Sequence, residues 1–465
     1  MFTPSVSFSR GAIVVGSGLA GLSAASQLVA HNVPVQLLER GPKPGGNSIK
    51  ASSGINGAPT RFQPIADSIF YDDTIQSVGS VISTEREQRQ RLVSTLTNSS
   101  ASAVYWLVDE KEIDLSKVAQ LGGHSLPRTH RGAGKTPPGA AIVTTLLNSL
   151  KSSPLFHLNT GCLVTKVLHS GAEVKGVEYT CEGETKQLQG PVVFASGGFA
   201  GDAKGMLAKY RPDLAGFPST NDPREGSQTL LTEIGAQLLD MDLVQVHPTG
   251  FVDPKSPETP VKFLAAELLR GEGGLMLLNG NRFVNEMETR QHITDTILRT
   301  PPTDSLPRQW TVQLVLDEGT YNAAASHIDF YVWKGLMRKT TVSELGSSVL
   351  PVIQEYADAA AGKQADQFGR KTFGHWTLKD VTPESVVYTG RVTPVVHFTM
   401  GGVIFNENSE VLNADGKPIK GVWAAGEVTG GIHGENRLGG SSLLECVVFG
   451  RIAGDRAAAF YQSNA

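Results

Sequence analysis

Three short apolar runs, each stopped by glycine, set the frame of this chain: AIVV (Ala12 to Val15), PVVFASGGF (Pro191 to Phe199) and GVWAAGEV (Gly421 to Val428). Apolar runs without alternation belong to strands buried on both faces, as in a parallel sheet. After the first of them, LAGLSAASQLVA has helical spacing and predicts a helix from Leu19 to Ala30, followed by a strand from Val35 to Glu39. Strand, glycine turn, helix and strand make the start of a βαβ unit, whose strands run parallel. Such strands deliver their carboxyl ends to one edge of the sheet, where ligands bind.

A different texture occupies Leu239 to Val395, broken at Pro301-Pro302 and helical near Leu350 to Ala361. It reads as an inserted α+β domain. The expected architecture is α/β: a nucleotide-binding domain of residues 1–238 and 396–465 that carries a capping domain of residues 239–395. A chain of 465 residues has enough material for two cores. No repeat or low-complexity tract points to a solenoid or a coiled coil.

A formal charge of -4, with 18% charged residues and scattered lysine and arginine, excludes a nucleic-acid or membrane-surface partner as the expectation. Cys162, Cys181 and Cys446 show neither CxxC nor CxxCH spacing, which argues against a disulfide framework, an iron–sulfur cluster or a c-type haem and for a reducing compartment. The opening MFTPSVSFSR is too short and too polar for a signal peptide, and the next apolar run is broken by glycines, so no membrane span is expected. The expected location is the cytoplasm, with a mitochondrial or other organellar address left open.

Gly16, Gly18 and Gly21 fit GxGxxG, with Ser17, Leu19 and Ala20 between them, and Glu39 ends the second strand about twenty residues on. Glycines let the backbone approach a pyrophosphate, the helix N-terminus offers N–H donors, and the carboxylate takes a ribose hydroxyl. NAD and FAD both satisfy that fingerprint. GGNSIKASSGING (Gly45 to Gly57), the ASGG turn (Ala195 to Gly198) and Gly426-Glu427 favour FAD, because a nicotinamide enzyme needs none of them.

His247, Arg290, His397 and Arg437 recur beside glycine or proline, and Arg437 sits in the glycine-rich run Gly431 to Arg451. A lone histidine is ordinarily a satisfied core residue and a lone arginine a surface ion pair. Together they suit a small dianion, since guanidinium meets carboxylate in a two-pronged geometry that fixes the ligand's plane. Glu267 and Arg270 stand three apart on one helical face, where the plain reading is an intrahelical salt bridge.

NSIKASSGING, HPTGF, FLAAELLRG and NRLGGSSLLECVVFGR, in this order, resemble the flavoprotein family of fumarate reductases and succinate dehydrogenases, and within it the single-chain soluble enzymes of fungi. The resemblance covers nearly the whole chain. It implies FAD contacts at the fingerprint residues and at Arg40, Gly45, Gly46, Asn47, Ser48, Ser53, Gly54, Ile55, Asn56, Ser196, Gly197, Asn221, Glu225, Ser441, Ser442, Leu443 and Leu444. Membrane-complex members carry FAD covalently on a histidine where Asn47 stands, which implies non-covalent FAD here. The resemblance further implies that His247, His397, Arg437 and Gly402 hold the substrate carboxylates, that Arg290 donates a proton and that Glu267 and Arg270 relay it.

The implied reaction is reduction of fumarate to succinate by a monomer, with electrons from an external reduced flavin or a reductase. Three departures stand out: TNDPREGSQ (Thr220 to Gln228) replaces a TxGDG-like turn, Ala266 replaces a threonine, and Gln291 replaces an aspartate. Alternatives are a reductase of another unsaturated acid, an enone dehydrogenase of the same superfamily, and a flavin-binding interaction protein without turnover.

Overall fold

A computed structural model describes residues 11–346 and 348–464. MFTPSVSFSR, on which the targeting expectation rests, lies outside the described residues. The chain opens as expected with β1 (Ala12–Val15), α1 (Leu19–Ala30) and β2 (Val35–Glu39), and continues through β3 (Phe156–Thr160), the hairpin β4 (Cys162–Ser170) and β5 (Glu173–Cys181), and β6 (Val192–Phe194). A second set follows: β7 (Val244–Phe251), α2 (Leu268–Gly271), β8 (Leu275–Leu278), α3 (Arg290–Leu298), β9 (Val312–Leu316), α4 (Ala325–Trp333), α5 (Val349–Ala360) and β10 (Val386–Thr399). The chain then returns with β11 (Pro418–Ala424) and α6 (Ser441–Ser463).

The first sheet has the order β3-β2-β1-β6-β11-β5-β4, so the last strand enters beside β6 after the whole second set. Its central pairs are parallel, with Val15 opposite both Leu38 and Phe194, and Phe194 opposite Ala424. The second sheet is antiparallel, with β7 against β10, β10 against β9 and β9 against β8. β10 runs through the boundary expected at Val395, which brings His397 to the end of a strand shared with β7.

The first sheet buries α1 and α6 on one face, and small residues set how close those helices come. A Cβ at Gly454 would stand 2.5 Å from the carbonyl oxygen of Ala24, and one at Gly450 would stand 2.5 Å from that of Ala20. Leu19, Leu22, Leu28, Leu443, Leu444 and Phe449 fill the rest of this core. The second sheet closes its own core with Leu268, Met276, Ile293, Trp310 and Leu314.

The expectation against disulfides is corrected at one place. Cys162 and Cys181 face each other across the β4–β5 hairpin, with Cα atoms 4.3 Å apart, and are joined. Their pairing depends on hairpin register, which cysteine spacing does not disclose. Among the described residues no helix is long and apolar enough to cross a membrane, and no cluster could hold a metal.

The close α1–α6 contact gives a stability test. Gly454→Val forces the helices apart and costs about 1–3 kcal/mol in chemical denaturation. Gly134→Ala, where a Cβ meets nothing within 4 Å, stays within about 0.5 kcal/mol of the parent.

Candidate active site

A cavity of about 770 Å³ lies along the carboxyl edge of β1, β2 and β6 and reaches the start of α3 at Arg290 and the second sheet at His397. Two helix N-termini open on it. α1 begins after Gly18 and α6 after Gly440, neither N-cap with a side chain to close it; Leu19 N donates to Ser48 Oγ at 3.1 Å and Ser441 N to the Leu438 carbonyl at 3.1 Å, and the positive dipole ends still face the cavity. Gly16 has φ +103° and a Cβ there would lie 2.4 Å from the Ala195 carbonyl oxygen, so β1 and β6 can meet only at glycine. At Gly197, φ is +82° and nothing lies within 4 Å, an open backbone cradle. These features fit a dinucleotide.

Most cofactor candidates line this cavity: Gly16, Ser17, Gly18, Leu19, Ala20, Glu39, Arg40, Gly46, Asn47, Ser48, Ser53, Gly54, Ala195, Ser196, Gly197, Gly198, Asn221, Gly426, Glu427, Ser442 and Leu443. Glu39 closes the loop over them. Its Oε2 accepts from Ser17 N at 3.1 Å and its Oε1 from Gly41 N at 2.6 Å. Asn47 donates to Asn221, whose own amide donates to the His397 carbonyl at 2.9 Å, tying the Gly45 to Gly57 segment to β10.

Other candidates stand behind the wall. Gly21 packs against the Gly16 carbonyl, Gly45 donates its N–H to Ser17 Oγ at 3.0 Å, and Ile55 and Leu444 belong to the core. Asn56 donates to Gly439 O at 2.8 Å and to Ser441 Oγ at 3.0 Å, so these two brace the glycine run from behind. Glu225 is exposed and offers only its carbonyl, to Arg40 at 2.6 Å, while Arg224 lines the cavity in its place. Gly402 lies in a short strand beside Leu239, where a Cβ would meet the Val428 carbonyl at 2.2 Å; close packing explains the glycine.

The polar cluster is compact and rich in positive charge. Arg290 donates from Nε to Glu267 Oε2 at 2.6 Å and from Nη1 to Gln245 Oε1 at 2.8 Å. Arg270 Nη2 stands 3.1 Å from Glu267 Oε1, an ion-pair distance without hydrogen-bond alignment. Burial pushes the Glu267 carboxyl up, but Arg290 and Arg270 outweigh it and hold the group below the ordinary carboxylate range.

Arg437, 2% exposed, has no carboxylate partner among the described residues. It rests over the Phe398 ring at 4.2 Å. Burial, then the neighbouring Arg290, pulls its guanidinium down to about 9. His247 and His397 approach edge to face, with ring centroids 5.3 Å apart. Burial and the nearby arginines hold both imidazoles well below the usual range, hence neutral. Thr249 N donates to His247 Nδ1 at 3.2 Å, so the proton sits on Nε2, an atom without a partner. Arg437, Arg290 and His397 line the cavity, while His247, Glu267 and Arg270 stand just behind it.

Gln245 went unread in the sequence. Its amide takes Arg290 and donates to the Arg437 carbonyl at 2.9 Å, so one side chain fixes both guanidinium carriers. The signal was there: Gln245 and His247 are two apart on β7 and share a face. Phe398, the platform under Arg437, and Tyr331, on the cavity wall, were also missed.

A glycine-edged dinucleotide cavity joined to a buried cationic cluster defines a flavoprotein with a site for a small anionic ligand. The FAD binding domain model matches residues 11–443. "Fumarate reductase 1" of Saccharomyces cerevisiae is 44% identical over 95% of this chain and 97% of its own length, and "Fumarate reductase" of Schizosaccharomyces pombe is 40% identical over 98% and 91%. An open conformation of a flavocytochrome c3 fumarate reductase superposes with a TM-score of 0.74 at 30% identity, covering 97% of this chain and 78% of that one. The chain belongs to this FAD-binding flavoprotein family, and FAD is its cofactor.

Glu427 supplies a pH signature. Burial raises its carboxyl to about 7 against the N–H of Thr399, 2.9 Å away. Between its ordinary 4.5 and about 7 the unfolded chain ionises and the folded one stays protonated, so stability is full below that window and falls through it. The loss is about 1.4 kcal/mol per pH unit. The buried histidines His124, His130, His247 and His397, all held below their ordinary range, give the opposite slope below about 6.5, so Glu427 is read as a difference: in urea titrations of the flavin-free proteins at a series of pH values, the parent should lose stability relative to Glu427→Gln as pH rises through this window.

Proposed function

We propose that this chain is a fumarate reductase that binds FAD non-covalently and reduces the alkene of fumarate to give succinate. The names of its relatives support that reading, and the observation that carries it is Arg437: a buried cation without a counter-ion, aimed into the flavin cavity beside a second arginine and two neutral imidazoles. Leaving such a charge unpaired costs several kcal/mol, which a ligand carboxylate returns on binding. When bound, FAD supplies the hydride, from N5.

The residues do the rest. Arg437 takes one carboxylate and His397 the other, the unpartnered His247 Nε2–H behind His397 being reached as the cap closes, and the clamp would hold the alkene flat and dry. Arg290 protonates the second alkene carbon. A guanidinium is a poor acid in water, but Glu267 is bonded to Arg290 on one side and faces Arg270 on the other, so a replacement proton has a short way in. Gln245 keeps Arg290 in line while this happens.

Asn47 offers an amide where covalent attachment requires an imidazole, so FAD is held by contacts alone. Residues 239–395 act as a cap that closes over the substrate. Electrons come from an external reduced flavin or a reductase, since the chain shows one dinucleotide fingerprint and no metal cluster among the described residues. An enone substrate fits less well: Tyr331, the tyrosine of the cavity wall, has its hydroxyl committed to backbone groups at Leu264 and Ala266.

Anaerobic oxidation of a reduced flavin dye by fumarate tests the proposal. Arg290→Lys should lower turnover by about 10²–10⁴-fold while FAD absorbance per chain is kept. Arg437→Met should raise the fumarate KM by at least about tenfold, the loss of one charged contact. Parent-like turnover in Arg290→Lys, or an inert parent protein, would sink it.

A further inference from the structure

The cavity wall contains a device that the clamp and relay leave unexplained. His327 and Tyr331 lie four apart on α4 and so share one helical face. His327 Nε2 stands 2.8 Å from the carbonyl oxygen of Ser52. A carbonyl can only accept, so that nitrogen carries the proton and donates it. One turn on, the Tyr331 hydroxyl accepts from Ala266 N at 3.2 Å and donates to the Leu264 carbonyl at 3.2 Å. The two loops also meet each other, since Glu267 N donates to Ser53 Oγ at 3.2 Å.

Each loop leads to half of the reaction. Ser52 and Ser53 belong to the glycine-bounded segment on the cavity wall, while Leu264 to Ala266 end where Glu267 begins, the carboxylate bonded to Arg290. Glu267 precedes α2, a helix of only four residues, so little regular structure on its own side fixes its place. Tyr331 is itself well seated, 3% exposed and packed on Phe251 with ring centroids 4.7 Å apart.

We propose that His327 and Tyr331 are positioning residues: α4 is a strut that holds the flavin loop and the proton-relay loop in one register, so that hydride and proton reach neighbouring carbons of the same alkene. Resting as it does on the fumarate reading, this assignment deepens that reading without adding a group that touches substrate. The backbone N–H of Ala266 donates to Tyr331, so the loop is held from α4 through its main chain, whatever side chain stands at position 266.

The holoenzyme tests both halves. Tyr331→Phe keeps the ring and its packing, so it should fold and load FAD as the parent does; kcat for fumarate should fall by about tenfold with KM within about twofold. His327→Leu should shift the visible absorbance and circular dichroism of bound FAD, and His327→Gln, which can still donate to Ser52, should restore them. A parent-like kcat in Tyr331→Phe, or a kcat loss that only follows lost flavin, would overturn the strut, as would a parent-like flavin spectrum in His327→Leu. The spectral comparison needs no fumarate, so an inert parent protein would remove the function while the strut is still judged on the flavin.

Discussion

The buried pair between Glu267 and Arg290 is the interaction on which the site depends. A single carboxylate faces Arg290 and Arg270, so it is spent before Arg437 is reached. The pair is also built against local preference: Arg290 is the first residue of α3, at the positive end of its dipole, with Thr289 as the N-cap. Without Glu267 the cation would be repelled by its own helix and by Arg437. With Glu267 it is held, and the cluster keeps an unmet positive charge for a ligand to satisfy.

Holding that imbalance requires a rigid surround, and two sheets provide it. β7 brings Gln245 and His247 on one face, β10 brings His397 and Phe398 to its end, and the glycine run before α6 brings Arg437. Gln245 reaches across all of this, with its carbonyl on Arg290 and its amide on the backbone of Arg437. Phe398 gives the unpaired guanidinium a π-face in place of water, a partial compensation that a bound anion improves upon.

The nucleotide half was legible because its signals are local. A four-residue apolar run, a helical repeat and glycines at fixed offsets gave β1, α1 and β2 with the bounds found in the structure, and glycine positions marked most of the cavity wall. Legibility ended where function is carried by long-range contact. Asn56, Ser441 and Glu225 have the right residue types in the right segments, but backbone geometry turns them away from the cavity, and only the fold determines that direction. Gly402 illustrates the same limit, since close strand packing demands a glycine as firmly as a ligand does. The Cys162–Cys181 pairing was hidden in hairpin register, and Gln245 was overlooked because a polar residue without glycine or proline beside it carries no punctuation.

One departure from the family pattern, Gln291, becomes intelligible in the same terms. Gln291 removes a carboxylate beside Arg290, and a second acid there would have competed with the substrate for the same positive charge. The Gln291 side chain instead donates to Asp295 on the outer face of α3 at 2.8 Å, while its backbone N–H points to Asn436, the neighbour of Arg437. The cluster therefore reaches the substrate with Glu267 as its anion and with Arg437 undischarged. On the proposed reading, a dianion entering this cavity would meet fixed donors whose repulsion it relieves, so binding and the alignment of the clamp would be driven by one and the same electrostatic deficit.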